Sequence, residues 1–394
     1  MRVTTRIVIA LAILASLLSF AKFSYCEDTQ WASPGQYIHA CYSDIPALYG
    51  ERNLKDSWAY SSTDNAVEYP VITGVIMWAT AQVIPDGINN YFNYSAILLA
   101  LLFIFIAWIT FKIKPEFAYL LPIAPAVIAS LYINWDLWGI ATMMVAIYYF
   151  DKNRLTLSAV ALAISIATKF MPIVLLVPIA LIFLRQERIS QFFKYVAVSS
   201  GTWAAINAPI FLTTPEGWKR FYVMNLDRGS DWGSIWYALS NLGLDLTHQN
   251  YLSVLTLLIG FTLLALLILQ FRDTPTLAHV AIFAFVIVMA VSKVYSPQYV
   301  LWLAPLAVIA IIDRREIAAF WVWMGCEVIY HVAIWQHLAQ VTGARFGLPV
   351  FTYSLLTLLR IAGSIYLLVR LAARHKKSGV FPSEFLFHTA SSYP

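Results

Sequence analysis

Long apolar stretches joined by short polar connections dominate this chain. Stretches able to cross a hydrocarbon core of about 30 Å, several of them only if short or tilted, recur along the whole sequence. They begin near residues 6, 70, 94, 117, 136, 155, 172, 192, 251, 277, 298, 316 and 351. This pattern predicts an all-α, polytopic membrane protein with about 12–13 hydrophobic helices and a polar extracytoplasmic first loop.

The first apolar stretch, RIVIALAILASLLSFAKF, predicts an uncleaved membrane anchor. It follows Arg2 and Arg6 and has no small-residue cleavage signature, so its N-terminus is expected to face the cytoplasm. The predicted organisation is a signal-anchor helix at 1–22, an extracytoplasmic catalytic loop at 23–69, a multi-helix region at 70–373 with an outer loop at 213–250, and a cytoplasmic tail at 374–394.

Lys and Arg collect at every second connection, as expected where cytoplasmic loops are positively charged. These connections contain Lys112/Lys114, Lys152/Arg154, Arg185/Arg188, Arg272, Arg314/Arg315 and Arg374/Lys376/Lys377. The intervening connections are then expected on the outer face. This charge pattern allows one net crossing between the first loop and Lys112, although two apolar runs lie there. We therefore predict that the run bracketed by Pro70 and Pro85 is short or re-entrant.

Composition supports the membrane assignment and removes several function classes. The 394 residues are 60% apolar and 12% charged, against about 25% charge in soluble domains. The net charge of +5 follows the inner loops and does not indicate a nucleic-acid partner. No GxGxxG, Walker, HExxH or zinc-spaced Cys/His motif is present, so we expect no nucleotide cofactor and assign no metal ligands. A requirement for a divalent cation stays open.

The three cysteines divide between the first loop and an apolar run. Cys26 and Cys41 lie on the expected oxidising side, where they could pair or remain two free thiols. Cys326 is expected to be a packing residue.

Polar groups recur at the expected outer ends of the apolar stretches. NWDLWG contains Asp136, TKFMP contains Lys169, and SKVYSPQY contains Lys293, Tyr295 and Gln298. Each could be an interfacial side chain that reaches toward water, or part of a site. Because the two lysines lie on the face that normally lacks cations, their recurrence there favours an anion-binding site.

The outer loop contains EGWKRFYVMNLDRGSDWGSIWY, with Arg228, Asp231 and several aromatic residues. Aromatic faces and carboxylates suit sugar binding, whereas the same residues also suit an interfacial helix anchored by Trp.

A later apolar stretch repeats functional side chains every four residues. Trp323, Glu327, His331 and Trp335 are predicted to share one side of a helix. Glu327 and His331 are candidates for catalysis because ionisable groups inside a membrane are costly, and the alternative is a structural hydrogen bond between them.

Six stretches in order resemble the integral-membrane glycosyltransferases of superfamily C, most closely glycosyltransferase family 87. They are YSDIPALY, VEYPVITGVIMW, NWDLWGIA, ATKFMPIVLL, NAPIFLTTPEGWKRFYVMNLDRGSDWGSIWY and SKVYSPQYVLWLAPL, within about Tyr42 to Pro305. The resemblance implies sugar transfer with inversion, usually of mannose, from a polyprenyl-phosphate donor to a glycolipid or glycan hydroxyl on the outer face.

Asp44 is the position that matches the family's catalytic base in the first outer loop. Glu51, Asp56 and Asp64 share that loop, and the resemblance ranks Asp44 above them. Asp44 also belongs to an Asp-Ile-Pro turn, which is expected to open a short helix at Pro46 with the carboxylate near its N-terminus. We expect Lys169, Lys293 and Arg228 to contact the donor phosphate, and Asp136, Glu68, Tyr295 and Gln298 to orient sugar hydroxyls. TKFMP departs from the Lys-Tyr-Pro form of the family, and Glu327 and His331 follow the resembling region. A multi-pass transporter or flippase, and a non-catalytic membrane scaffold, are the alternatives.

Overall fold

The computed structural model describes residues 3–61, 64–271 and 274–375, apart from the side chains of residues 374 and 375. Within these ranges the chain is helical and contains no strand, which confirms the predicted all-α class. The predicted tail from residue 376 onward, and Arg272, lie outside the described residues.

The α-helices are α1 (Thr5–Ala21), α2 (Ser24–Asp28), α3 (Gly35–Ile38), α4 (Asp44–Glu51), α5 (Val71–Val83), α6 (Ile88–Ile113), α7 (Leu120–Ile123), α8 (Pro125–Ser130), α9 (Asp136–Asp151), α10 (Leu155–Thr168), α11 (Leu176–Arg185), α12 (Ile189–Thr213), α13 (Pro215–Asp227), α14 (Ile235–Asn241), α15 (Gln249–Gln270), α16 (Leu277–Val291), α17 (Val300–Ala310), α18 (Arg315–Val341) and α19 (Val350–His375).

Six helical segments in the described part of the chain are long and apolar enough to cross a membrane. They are Thr5–Asp28, Ile88–Ile113, Ile189–Thr213, Gln249–Gln270, Arg315–Val341 and Val350–Ala373. Five shorter apolar helical segments accompany them: Val71–Val83, Leu155–Thr168, Met171–Arg185, Leu277–Val291 and Pro297–Ala310. Large apolar side chains such as Leu17 and Leu101 are exposed on their surfaces, as lipid-facing helices require. The protein is therefore a multi-pass membrane protein.

The apolar run near residue 117 forms short helices instead of a single span. Helix α7 contains Pro122 and ends at Ile123, and Pro125 begins α8. Proline has no N–H and disfavours helical backbone in the residue before it, so two prolines three residues apart interrupt the run.

Small polar residues allow close packing of α9 against α10. The hydroxyl of Ser158 donates to the carbonyl of Ala146 at 2.7 Å, and that of Ser165 donates to the carbonyl of Gly139 at 2.7 Å. Serine side chains at helix interfaces let backbones approach and keep the hydroxyls bonded inside a membrane protein. This contact fixes α9, which carries Asp136, beside α10, which precedes Lys169.

Helix α5 lies along the polar first loop for its whole length. The Lys55 ammonium donates to the carbonyls of Ala81 and Ile84 near its end, and the Trp58 ring meets Trp78 edge-on at 4.8 Å. At 13 residues, α5 is about 20 Å long, shorter than the hydrocarbon core. Helix α5 is therefore short, as predicted for the run between Pro70 and Pro85.

Cys26 and Cys41 form a disulfide with a Cα–Cα distance of 6.0 Å. The sequence left open whether these two cysteines pair or remain free thiols, and in the structure they pair. The bond ties the end of α1 and α2 to the segment that enters α4. Cys326 is a free cysteine packed at Gly363, consistent with the expected packing role.

Candidate functional site

Asp44 is the first residue of α4, and its backbone is fixed from both sides. Ser43 caps the helix, with its hydroxyl accepting from the Ile45 N–H at 3.2 Å and donating to the Tyr132 carbonyl at 2.7 Å. The Asp44 N–H donates to the Ile133 carbonyl at 2.8 Å. A serine before the helix satisfies an N–H that the first turn leaves unbonded. The first loop is thereby held against the connection that carries Asn134.

The Asp44 carboxylate is partly buried and held by two donors. The Tyr42 hydroxyl donates to Oδ1 at 2.9 Å, and the Asn134 amide donates to Oδ2 at 3.3 Å. Loss of hydration raises the pKa of Asp44 to about 6, although the Tyr42 hydrogen bond and the charge of Lys169 act in the opposite direction. A carboxylate with this pKa is a stronger base than an ordinary aspartate and still ionised at pH 7.

Asp136 and Lys169 form an ion pair beside Asp44. Their Oδ1 and Nζ atoms are 3.0 Å apart, and the Asp136 N–H donates to the Asn134 side-chain oxygen at 2.8 Å. The Lys169 ammonium also lies 4.1 Å from the centre of the Tyr69 ring. The motifs NWD and TK, more than thirty residues apart, thus meet at one place. Asn134 and Tyr69 belong to this cluster and were not predicted.

Glu68 forms an ion pair with Arg52, which was not predicted as a site residue. The guanidinium binds the carboxylate through two contacts of 2.6 and 2.9 Å, and both side chains are 17% exposed. Arg52 follows the end of α4, so this pair ties the helix of Asp44 to the entry of α5. The two carboxylate oxygens of Glu68 are both engaged by Arg52.

Lys293 binds backbone atoms of the outer loop. Its ammonium donates to the carbonyls of Arg228 at 2.6 Å and Leu226 at 3.2 Å, while the Asp231 N–H donates to the Lys293 carbonyl at 2.8 Å. Arg228 and Asp231 pair through their side chains. Lysine near the C-terminus of α13 satisfies carbonyls that the helix leaves unbonded.

Gly233 permits the outer loop to lie directly on Tyr295. Its φ is +81°, and a Cβ there would lie 2.0 Å from the Tyr295 carbonyl oxygen. The Gly233 N–H donates to the Tyr353 hydroxyl at 2.8 Å. Only glycine fits a left-handed backbone at such a close approach. The loop, the 292–299 segment and α19 therefore form one packed unit.

The 292–299 segment also contacts α8, which precedes Asn134 in the chain. The Ser130 hydroxyl of α8 donates to the Pro297 carbonyl at 3.5 Å. Gln298, the next residue, is buried. The predicted residues from the first loop, the NWD and TK motifs and the 292–299 segment thus gather in one region.

Glu327 pairs with Arg360 inside the helical bundle. The guanidinium Nε donates to Oε2 of Glu327 at 2.8 Å, and its two other nitrogens donate to the carbonyls of Tyr295 at 2.6 Å and Ser296 at 3.1 Å. The second carboxylate oxygen accepts from Trp323 Nε1 at 3.1 Å and from the Tyr295 hydroxyl at 3.4 Å. Arg360 was missed, although an arginine inside the apolar run YSLLTLLRIAG is itself a signal for an intramembrane partner.

His331 has a different partner from Glu327. Trp335 Nε1 donates to its Nε2 at 3.0 Å, so the Glu–His hydrogen bond considered from spacing gives way to two separate Trp contacts on α18. His331 is buried, and its Nδ1 has no hydrogen-bond partner among the described residues. The Trp335 ring packs at 5.6 Å against Tyr42, which bonds Asp44. The prediction that Trp323, Glu327, His331 and Trp335 share one side of a helix agrees with their common burial on α18.

Aromatic residues of α13 lie beside the residue after Lys169. Phe170 contacts Phe221 and Tyr222 edge-on, each at 6.1 Å, and Tyr222 packs against Trp218 at 4.7 Å. Trp218 Nε1 donates to Asn207 at 2.9 Å, which orients α13 on α12. Aromatic residues of the outer loop therefore pack on the residue that follows Lys169 in the chain.

These groups combine a carboxylate with a raised pKa, a nearby ion pair and aromatic faces. Within residues 3–61, 64–271 and 274–375, no group of three or more His, Cys, Asp or Glu side chains could hold a metal ion. Such a site can accept a proton at Asp44. No protein-family profile and no curated protein matches this chain.

Proposed function

We propose that the protein is a membrane glycosyltransferase. It transfers a sugar, with mannose as the proposed donor sugar, from a polyprenyl-phosphate to a hydroxyl of a glycolipid or glycan, with inversion, on the outer face of the membrane. The observation that carries this proposal is the partly buried Asp44, with a pKa of about 6, beside the Asp136–Lys169 ion pair.

In the proposed reaction Asp44 accepts the proton of the acceptor hydroxyl. The acceptor oxygen forms a bond to the anomeric carbon while the bond from that carbon to the phosphate oxygen breaks, and the lipid phosphate leaves with the bonding electrons. One carboxylate suffices because a phosphate departs without protonation, unlike the leaving oxygen of an ordinary glycoside. Lys169 and Arg228 are the proposed phosphate contacts, because preorganised cations stabilise charge that develops on a leaving group.

The contacts of the other candidates refine their proposed roles. Lys293 donates to loop carbonyls, which supports a role in placing Arg228. Glu327 has both oxygens engaged by neighbours, which favours positioning through Arg360 and Tyr295 over proton transfer. Asp136, Asp231, Gln298 and Glu68 stay as proposed contacts to sugar hydroxyls, and His331, with one unbonded ring nitrogen, stays as a proposed proton-transfer group.

Two features support an outer location for this site. The Cys26–Cys41 disulfide lies just before Asp44, and disulfides persist in oxidising compartments. The connections rich in Lys and Arg, such as Lys112/Lys114 and Arg314/Arg315, join the helix ends that do not carry the candidate site.

The test is sugar transfer by the purified protein in lipid nanodiscs. Polyprenyl-phosphate mannose is supplied with a membrane lipid extract, and the mannosylated product is detected by mass spectrometry. Asp44→Asn should abolish transfer while expression and membrane insertion persist. Asp56→Asn, an exposed acid of the same loop, is the matched control and should keep activity. Near-normal transfer by Asp44→Asn would refute the assignment, and lipid flipping or solute uptake without sugar transfer would favour the transporter.

A further inference from the structure

Arg52 and Glu68 join two parts of the first loop that border the candidate site. The Nε and Nη2 atoms of Arg52 donate to the two Glu68 carboxylate oxygens at 2.6 and 2.9 Å. Two parallel contacts fix the direction of a carboxylate as well as its distance, which a single ammonium contact does not. Both side chains are 17% exposed, so salt screens this pair less than an ion pair on the surface.

Helix α4 connects Arg52 rigidly to Asp44. Asp44 is the first residue of this helix, and Arg52 directly follows its last residue. The Arg52 N–H donates to the Leu48 carbonyl at 3.0 Å, so the hydrogen bonding of the helix includes Arg52. A helix of eight residues is about 12 Å long, and its two ends move together. A displacement of Arg52 would therefore displace Asp44.

The residues that follow Glu68 contact Lys169 in two ways. Glu68 directly precedes Tyr69, and the centre of the Tyr69 ring lies 4.1 Å from the Lys169 ammonium. On α5, the Thr73 hydroxyl donates to the carbonyl of Thr168, the residue before Lys169, at 2.5 Å. Both threonines are buried. The start of α5 therefore contacts the ammonium of Lys169 and the backbone beside it.

A second route through the structure leads from Lys169 back to Asp44. Lys169 pairs with Asp136 at 3.0 Å, and the Asp136 N–H donates to the Asn134 side-chain oxygen at 2.8 Å. The Asn134 amide in turn donates to Oδ2 of Asp44 at 3.3 Å. The contacts thus form a closed ring around the candidate site, and the Arg52–Glu68 pair joins its first-loop half.

We propose that Arg52 is a positioning residue for sugar transfer, an inference that rests on the proposed function. Its pair with Glu68 sets the separation between the Asp44 carboxylate, which accepts the proton, and the Lys169 ammonium, the proposed phosphate contact. Arg52 acts through Glu68 and contacts neither substrate. The placement of such groups matters because a shift of about 1 Å can lower a rate by about 100-fold.

The test compares Arg52→Gln and Arg52→Lys with the control Arg185→Gln. Gln removes the charge, whereas Lys keeps the charge and loses the paired contacts. Arg185 is also a structural arginine, because its guanidinium donates to the Ile268 and Leu269 carbonyls at 2.8 and 3.2 Å. It lies at the far end of the helical segment Met171–Arg185, which follows Lys169. The pH dependence of kcat/KM and the melting temperature are measured for each variant.

The acid limb of the pH profile reports the distance of Lys169 from Asp44. Loss of hydration raises the pKa of Asp44, the Tyr42 hydrogen bond and the Lys169 charge lower it, and the Asp136 charge raises it. Arg52→Gln should lower kcat/KM by about 10- to 100-fold and move the acid limb to higher pH, because Lys169 acts less on Asp44. Arg52→Lys should give an intermediate result. Arg185→Gln should lower the melting temperature and leave the acid limb in place.

A second measurement does not depend on sugar transfer. If Arg52 places Lys169, the double variant Arg52→Gln/Lys169→Gln should lose less melting temperature than the two single variants together, whereas Arg185→Gln/Lys169→Gln should be additive. Additive losses at 52 and 169, or an unmoved acid limb in Arg52→Gln, would overturn the proposal. If wild-type protein transfers no sugar, the proposed function fails, and the melting temperatures still decide whether Arg52 places Lys169.

Discussion

Arg360 and Glu327 form an ion pair of 2.8 Å in which both side chains are buried between α18 and α19. The guanidinium lies between the rings of Tyr295 and Tyr330, 3.5 and 4.2 Å from their centres. Because it also binds the carbonyls of Tyr295 and Ser296, it fixes the segment on which the outer loop packs. A side chain far from Asp44 in sequence thus holds one wall of the candidate site.

Breaking this pair should strongly destabilise the protein. Arg360→Met leaves the Glu327 carboxylate buried without its partner, and the expected cost is about 3–5 kcal/mol in the free energy of unfolding. Arg370→Met, on an exposed position of the same helix, is the control and should change it by less than about 0.5 kcal/mol. Thermal unfolding of purified protein in detergent measures both. Similar melting temperatures for the two variants would show that the pair contributes little.

Sugar transfer should follow the ionisation of Asp44. The base acts when deprotonated, so activity should fall below a pH of about 6, where the carboxyl takes up a proton. Tyr42→Phe removes a hydrogen bond that stabilises the carboxylate, so the pKa of Asp44 should rise and the acid limb should move to higher pH. The measurement is the pH dependence of kcat/KM. Tyr25→Phe, another tyrosine of the first loop, should leave the profile in place, and an unmoved limb in Tyr42→Phe would contradict the role given to this bond.

The same raised pKa predicts that Asp44 costs stability at neutral pH. The folded protein retains the Asp44 proton up to about pH 6, whereas the unfolded chain releases it near its ordinary value of 3.8, so this contribution to stability falls as pH rises between those values. Asp44→Asn should therefore unfold at a higher temperature than wild type at pH 7, with a free energy of unfolding that is larger by up to about 3 kcal/mol. At pH 3.5 the difference should be small. A lower melting temperature for Asp44→Asn at pH 7 would mean that its hydrogen bonds outweigh its loss of hydration.

Lys169 and Asp136 should behave as a coupled pair. Lys169→Gln leaves Asp136 buried without its cation and should cost about 3–5 kcal/mol, whereas the double variant Asp136→Asn/Lys169→Gln should cost less than the two single changes together. Thermal unfolding of the four proteins gives this coupling energy. Lys219→Gln, which breaks an exposed pair with Glu216, is the control. Additive effects at 136 and 169 would argue against the pair as a unit.

Removal of the Cys26–Cys41 disulfide should loosen the segment that carries Tyr42 and Asp44. The two cysteines are 15 residues apart, and a loop of that length corresponds to about 3 kcal/mol of stabilisation. The Cys26→Ala/Cys41→Ala variant, and wild type in reductant, should unfold at a similarly lowered temperature. Cys326→Ala should respond to reductant as wild type does. Insensitivity of wild type to reductant would show that the crosslink adds no stability.

Several parts of the site were accessible to sequence reasoning because they depend on local order. The Asp-Ile-Pro turn predicted a short helix that opens at Pro46 with Asp44 near its N-terminus, and α4 begins at Asp44 itself. The four-residue spacing from Trp323 to Trp335 predicted one buried side of a helix. In contrast, the partners of these groups depend on which helices lie together. Arg52 with Glu68, Arg360 with Glu327 and Trp335 with His331 were not predicted, and neither was the engagement of Lys293 by loop carbonyls.

The sequence by itself determined that this is an all-helical membrane protein and where most of its helices begin, because burial in hydrocarbon demands long apolar runs whose backbones bond internally. It also determined that polar groups recur at one set of helix ends. Only the tertiary structure decided which of those groups pair. Ion pairs such as Arg360 with Glu327 join residues 33 positions apart, and their formation depends on the rotation and depth of each helix, which apolar composition leaves unspecified.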